Sequence, residues 1–504
     1  GGMEVNNVDR SSTYFNGVGM QYGMGMLGSY DYKYFKQASE ENSMYYSLSN
    51  GYSREASFFA TATYSWKGRY TFNVTGRYEG SNRLGKARSA RWLPTWNVSG
   101  AWNIHEEPWF EKLRPALSHA TFKTSYSLTG DKPAITNAET IFQSFNPWRP
   151  FSADKESGIG VYSLANPDLT YEKKHEFNLG LNLGFLDNRL NVELDYYLRN
   201  NYDLIGPKIT TGEGGTIMKY ANVASMRSYG EEVTISSRNI VTKDFQWSTD
   251  FIFSHTKSKV TDLQSQNRLI DMIAGSGFTS KGYPYRALFS MDFQGLNNHG
   301  IPTFINQDGN LVTSDIDFQS YNLDHLIYEG PTDPTFSGSL GNTFSYKGLH
   351  LNVFITYAAG NKVRLDPAFS TGYSDLTAMP KEFQNRWVVP GDENHTDIPA
   401  IADYRQLQSD AYLGYAYTAY NYSHNRIAKG DFIRMKEISI AYDVPLSLIK
   451  HIGLSSMSLK LQGTNLFLIY SDKKLNGQDP EFMNSGGVAV PMARQFTFTV
   501  RLGI

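Results

Sequence analysis

The last ten residues, Gln495-Phe496-Thr497-Phe498-Thr499-Val500-Arg501-Leu502-Gly503-Ile504, put apolar side chains on every even position from Phe496 to Ile504. Polar or small residues hold the odd positions. A period of two belongs to an extended strand with one apolar and one wet face. The same pattern recurs upstream. Tyr70, Phe72, Val74, Gly76 and Tyr78 alternate with Thr71, Asn73, Thr75, Arg77 and Glu79. Phe177, Leu179, Leu181, Leu183 and Phe185 alternate with Asn178, Gly180, Asn182 and Gly184, and Leu190, Val192, Leu194, Tyr196 and Leu198 with Asn191, Glu193, Asp195, Tyr197 and Arg199. Trp66-Lys67-Gly68-Arg69, Leu186-Asp187-Asn188-Arg189 and Tyr346-Lys347-Gly348-Leu349 read as tight turns between strands.

Alternation over about ten residues exceeds the usual strand of about five or six. It suits a tilted strand crossing a bilayer's hydrocarbon core. Lipid cannot satisfy an open sheet edge, so such strands imply a closed barrel. The wet faces carry Glu193, Asp195 and Arg199, while the other faces are almost purely apolar. That separation is what lipid demands, because Arg or Lys on the lipid face near the midplane costs about 2–4 kcal/mol. Tight turns alternate with the long segments 129–171, 200–229 and 359–426. Outer-membrane barrels have short periplasmic turns and long extracellular loops in that alternation.

The expected fold is therefore all-β, a transmembrane antiparallel β-barrel region over residues 1–504 with roughly fourteen to sixteen strands. The three long segments are its expected extracellular loops. Phe496, Phe498, Val500, Leu502 and Ile504 are the expected lipid-facing side of a C-terminal insertion strand. One stretch breaks the alternation. Arg434 and Lys436 share the parity of Ile438, Ile440 and Tyr442, so either they lie at the headgroups or a bulge shifts the register.

Composition supports this picture. Aromatic residues make up 14% of the 504, with 34 Tyr and 30 Phe. Alternating strands average out their hydropathy, so a mean hydropathy of −0.43 is compatible with a barrel. No apolar run of about 18 residues stands in the sequence. A net charge of −2 without a basic run argues against nucleic acid as a partner. The lack of cysteine removes disulfides and thiolate metal sites.

Catalytic chemistry finds no foothold, and no cofactor is expected. His105-Glu106-Glu107-Pro108 lacks the second histidine of a zinc helix. Asn306-Gln307-Asp308-Gly309-Asn310 lacks the terminal glutamate of a calcium loop and reads as a turn. Aromatic residues in the long segments are the candidates for ligand or partner contact: Phe145, Trp148 and Phe151 beside Pro147 and Pro150, and Trp387. Such rings stack on sugars or pack on proteins. Packing of loop on loop is the alternative use.

Gly430-Asp431-Phe432-Ile433-Arg434-Met435-Lys436-Glu437-Ile438-Ser439-Ile440-Ala441-Tyr442-Asp443-Val444-Pro445, followed by Asn465-Leu466-Phe467, resembles the near-terminal signature of the SusC/RagA family of TonB-dependent outer-membrane transporters of Bacteroidetes. Asn166-Pro167-Asp168-Leu169-Thr170-Tyr171-Glu172, Tyr78-Glu79-Gly80-Ser81-Asn82-Arg83-Leu84-Gly85 and Asn385-Arg386-Trp387 resemble its text in the same order. The final Ile504 departs from the aromatic residue that commonly ends such barrels.

The resemblance implies a barrel of twenty-two strands around an N-terminal plug. This chain would be its C-terminal portion, with the plug and several strands outside it. The implied function is import of oligosaccharides or other nutrient oligomers, or of oligopeptides as in the RagA type. The implied partners are a SusD-like surface lipoprotein as lid, TonB acting through the missing N-terminal part, outer-membrane lipid, and a second transporter–lid pair. Two other classes compete: a secreted β-sandwich adhesin or glycan-binding protein, and an outer-membrane barrel protease.

Overall fold

A computed structural model describes residues 1–15, 33, 36–37, 46–114, 116–132, 140–145, 158–209, 212, 218–264, 267–275, 277–373, 376, 378–483, 491 and 493–504. Fourteen strands form one antiparallel meander in which each strand pairs with its neighbour in sequence. They are β1 (Gly2–Phe15), β2 (Tyr46–Trp66), β3 (Tyr70–Ser81), β4 (Trp92–Asn103), β5 (Leu117–Asp131), β6 (Glu172–Phe185), β7 (Leu190–Ile209), β8 (Met218–Val241), β9 (Phe245–Leu263), β10 (Phe336–Tyr346), β11 (Leu349–Ala359), β12 (Phe432–Asp443), β13 (Ser456–Ser471) and β14 (Gln495–Gly503). No helix among the described residues is long and apolar enough to cross a membrane.

The register joins the apolar faces into one surface. From β14 to β8, a single row runs Phe498–Leu461–Ile440–Leu351–Phe344–Trp247–Ile240. From β9 to β2, another runs Phe253–Val233–Leu194–Leu181–Phe122–Trp102–Tyr70–Trp66. A slip of one residue in any strand would turn its apolar set to the other face. The opposite face is wet: one of its rows runs Thr499–Lys460–Ala441–His350–Ser345–Gln246.

Both edges of the apolar band are marked. At the turn end, Tyr70 stacks between Trp66 at 5.7 Å and Trp102 at 6.2 Å, as aromatic rings do at a membrane interface. At the other end, the outward parity of β8 and β9 passes to Tyr229, Arg227, Lys257 and Lys259.

The turns explain the hairpins. Lys67 and Gly68 have φ of 51° and 70°, and Lys347 and Gly348 have 45° and 85°. Two successive positive φ values make the two-residue turn whose twist matches that of the flanking strands. The parity conflict near Arg434 is resolved by a bulge. The β11–β12 pairing moves from Phe354↔Glu437 to Ile355↔Met435, so Lys436 is the extra residue. Beyond it Ile433 and Met435 carry the outward parity, and Arg434 turns to the wet face.

The long connections differ from expectation. The segment 200–229 is mostly strand, because β7 and β8 stay paired out to Ile209↔Met218. Register shifts around Asn222, Ala224 and Met226 break the period of two there without ending the ladder. Within 129–171, β5 continues to Asp131 and a small hairpin pairs Ile141–Phe145 with Gly158–Ser163.

The segment 359–426 is folded, and it packs with an equally long segment, 264–335, that the alternation did not single out. Together they form a layer at the loop end of the wall. Its core contains Leu269, Ile273, Met291, Phe293, Phe304, Ile316, Phe369, Leu413, Ala416, Tyr417 and Tyr420. Helix α1 (Leu413–Asn421) supplies the last four.

Candidate functional site

The wet face of the wall divides into two zones. Toward the turn end it is lined by hydroxyls and amides, among them Thr71, Asn73, Ser99, Ser125 and Asn178, with Lys123 and Asp195. Asn73 Nδ2 donates to Thr63 Oγ1 at 2.7 Å, and Asn178 Nδ2 to Ser125 Oγ at 3.3 Å. Period-two alternation places these groups, since each stands opposite an outward apolar residue.

Toward the loop end the wet face carries ion pairs. Arg77 bridges Glu4 and Glu79, each at 2.9 Å. Glu176 accepts from Lys174 at 2.8 Å and Arg199 at 2.9 Å. Lys132 pairs with Glu55. A water-filled lumen with this lining can hydrogen-bond neutral polar oligomers and can also meet charged ones.

A cavity opens where this rim meets the folded layer. Ala358 and Phe432, at the ends of β11 and β12, form one side, and Arg286, Asn361, Lys362, Arg364 and Glu481 lie around it. Arg364 is brought there by the short strand Lys362–Arg364, which pairs with Ile427–Lys429. Its guanidinium is buried and donates to the Phe289 carbonyl oxygen. Burial lowers its pKa to about 10, against the pull of Tyr422 and Glu329 toward the charged form.

The aromatic candidates have different fates. Phe145 closes the strand Ile141–Phe145, opposite Gly158. Trp148 and Phe151 lie outside the described residues. Trp387 is half-buried. Its indole N–H donates to Glu393 Oε2 at 2.8 Å, and its backbone N–H donates to the Ile398 carbonyl at 2.9 Å. The ring lies against Gly300, where an added Cβ would come within 2.6 Å of indole Cδ2. Trp387 therefore ties loop to loop in this structure.

On β14, Phe496, Phe498, Val500 and Leu502 pair with Gly463, Leu461, Leu459 and Met457, and their side chains are exposed, as is that of Ile504. His105 Nδ1 lies 2.9 Å from the Ala120 carbonyl oxygen, and its ring lies 4.1 Å from that of His119. Asn306 Oδ1 accepts from the backbone N–H groups of Asp308 and Asn310, closing an ordinary Asx turn. Among the described residues no three His, Asp or Glu side chains converge as metal ligands. Sequence reasoning missed Arg364, because its setting is made by contacts such as that with Phe289, 75 positions away.

The comparisons agree with this architecture. The family model "TonB dependent receptor-like, beta-barrel" matches residues 4–271. The chain is 26% identical over 448 residues to TonB-dependent receptor P3 of Formosa agariphila, spanning 84% of this chain and 42% of that protein. It is 25% identical over 478 residues to TonB-dependent receptor SusC of Bacteroides thetaiotaomicron, spanning 89% and 43%. Among solved structures, the RagAB peptide transporter superposes with a TM-score of 0.75 at 20% identity, over 99% of this chain and 52% of that one. The chain thus spans under half the length of these curated relatives.

Proposed function

We infer the function from a plain premise: this chain belongs to the TonB-dependent receptor-like β-barrel family and is an outer-membrane protein of the SusC and RagA type. The observation that carries the reading is the single apolar surface formed in register by the strands of the wall, with a polar face behind it. A soluble sandwich would bury such a surface against a second sheet. Here it is exposed, as lipid contact requires.

The chain supplies wall, loops and much of the lumen of an importer. The end with the folded layer faces outward, and the described residues within 132–171, 264–335 and 360–431 form its extracellular surface. The cargo is an oligosaccharide or another nutrient oligomer. The hydroxyl and amide lining around Asn73, Ser125 and Asn178 supports a neutral polar cargo. The ion pairs of Arg77 and Glu176 support acidic or peptide cargo as the second reading.

A SusD-like lipoprotein closes the outer face, and TonB drives release through a plug carried by the rest of the transporter. Two such transporter–lid pairs assemble side by side. The test is uptake of labelled oligosaccharides and oligopeptides by cells with and without the full transporter gene. Uptake should fall without the gene and should also stop when a protonophore removes the energy source. Uptake of every tested oligomer at the parental rate in the deletion strain would overturn the reading.

A further inference from the structure

We propose that the cavity between the ends of β11 and β12 and the folded layer is a carboxylate-binding subsite anchored by Arg364. Three buried arginines stand in this region: Arg364, Arg426 and Arg434, with 3%, 2% and 6% exposure. Arg426 donates to the Glu382 carboxylate and the Asp366 carbonyl oxygen. Arg434 is held by Asp479 and Glu481. Arg364 differs. It has the Phe289 carbonyl oxygen and the face of the Tyr422 ring 5.3 Å away, and its Nε and Nη1 have no hydrogen-bond partner.

A buried guanidinium with unmade donors is costly, and the cost is relieved when an anion supplies the acceptors. The rest of the wall holds a further cation and two acceptors. Lys362 lines the same cavity and makes no ion pair among the described residues. Asn361 donates to the Thr332 carbonyl oxygen while its Oδ1 is without a partner. The two carboxylates on the wall are already engaged, Asp333 with Arg286 and Glu481 with Arg434, each at 3.1 Å. Glu329 favours the charged form of Arg364 but makes no ion pair with it, and its own Oε1 is buried without a partner. The unmade donors of Arg364 and the Lys362 ammonium favour an incoming carboxylate, against the opposing acceptors Asn361 Oδ1 and Glu329 Oε1. In the importer reading, on which only the source of that carboxylate rests, it belongs to an acidic sugar or to a peptide C-terminus.

Binding is measured on the purified full-length transporter in detergent, by calorimetry and thermal unfolding. The probes are galacturonate and N-acetylalanine, with galactose and N-acetylalanine amide as neutral controls. Both acids should bind more tightly than their controls. Stronger binding of galacturonate identifies an acidic glycan as the source, and stronger binding of N-acetylalanine a peptide terminus.

Arg364→Met should weaken acid binding by about tenfold or more while its melting temperature holds or rises, since an unpaired buried charge is removed. Arg364→Lys keeps the charge and loses the planar donors, so it should also weaken binding, and it decides the matter if the Met variant does not fold. Glu329→Gln should strengthen acid binding. The proposal is overturned if neither acid binds the parent protein better than its control, or if binding is unchanged in the Arg364 variants. It is also overturned if Glu329→Gln lowers the melting temperature without strengthening acid binding, the mark of an internal Arg364–Glu329 pair. Failure of these tests leaves energised uptake untouched, so the two readings fail separately.

Discussion

Arg434 Nη2 lies 2.6 Å from both carboxylate oxygens of Asp479, and both side chains are less than a tenth exposed. The pair is possible because the bulge at Lys436 turns Arg434 to the wet face, under the segment that carries Asp479 and Glu481. Removing one partner of such a pair costs about 3–5 kcal/mol where the other charge is left alone. After Asp479→Leu, Glu481 at 3.1 Å still meets Arg434, so the unfolding temperature of the purified protein should fall by part of that amount. The double variant Arg434→Met with Asp479→Leu should recover much of the loss. Thermal unfolding in detergent checks both, and equal stability of the single and double variants would contradict the paired arrangement.

Leu181 and Asn182 are neighbours on β6 with opposite duties. Leu181 sits mid-row between Phe122 and Leu194, on the apolar face. Asn182 Nδ2 donates to Glu193 Oε1 on the wet face. Leu181→Arg should cost about 2–4 kcal/mol of barrel stability and reduce the amount of protein in the outer membrane. Asn182→Arg should be tolerated at near-parental levels, since Glu193 is beside it. Quantified membrane fractions give the comparison.

The loop that Trp387 ties down should loosen in acid. Asp392 accepts from the backbone N–H groups of Val389 at 3.0 Å and Val388 at 2.9 Å. Those bonds hold its carboxyl below the ordinary value of 3.8. Glu393 is lowered as well, first by the Trp387 indole donor and then by backbone N–H groups. A lowered acid stabilises fully above its unfolded value and loses the contribution as pH falls through the folded one. Protease cleavage within 388–398 should therefore stay low from pH 7 to about pH 4 and rise below it. In Asp392→Asn it should already be raised at pH 7. A cleavage rate independent of pH in the parent protein would remove these caps from the account.

Trp387→Ala should open the same loop at neutral pH, because it deletes the ring packed on Gly300 and the donor to Glu393. If the loop shapes the outer binding surface, capture of cargo or lid should weaken about tenfold. Equilibrium binding of the labelled oligomer, with barrel levels matched, checks this. Unchanged capture with faster proteolysis would confine Trp387 to loop packing.

The wall was legible because its rule is local. Alternation at Tyr70–Tyr78, Phe177–Phe185 and Phe496–Ile504 marks strands wherever one face meets lipid. Gly68 and Gly348 mark tight turns for an equally local reason. The folded layer was not legible. Its strands are two to five residues long, too short for a period to show. Its core joins Phe293 to Tyr420 at 5.5 Å across more than a hundred positions. Ligand contact and loop packing both stayed open for Trp387 because nothing near it in sequence announces Gly300. The bulge at Lys436 was visible as a parity conflict, and only the pairing of Phe354 with Glu437 decided between the two explanations.

The central claim is that one continuous face of this wall meets lipid, and Phe498 with Thr499 tests it most directly. Spin labels placed singly at 498, 499, 181 and 182 in the full-length protein, reconstituted in bilayers, report contact with lipid-soluble oxygen or with a water-soluble nickel chelate. Labels at 498 and 181 should favour oxygen, and labels at 499 and 182 the chelate. The same preference at 498 and 499, or at 181 and 182, would contradict the account.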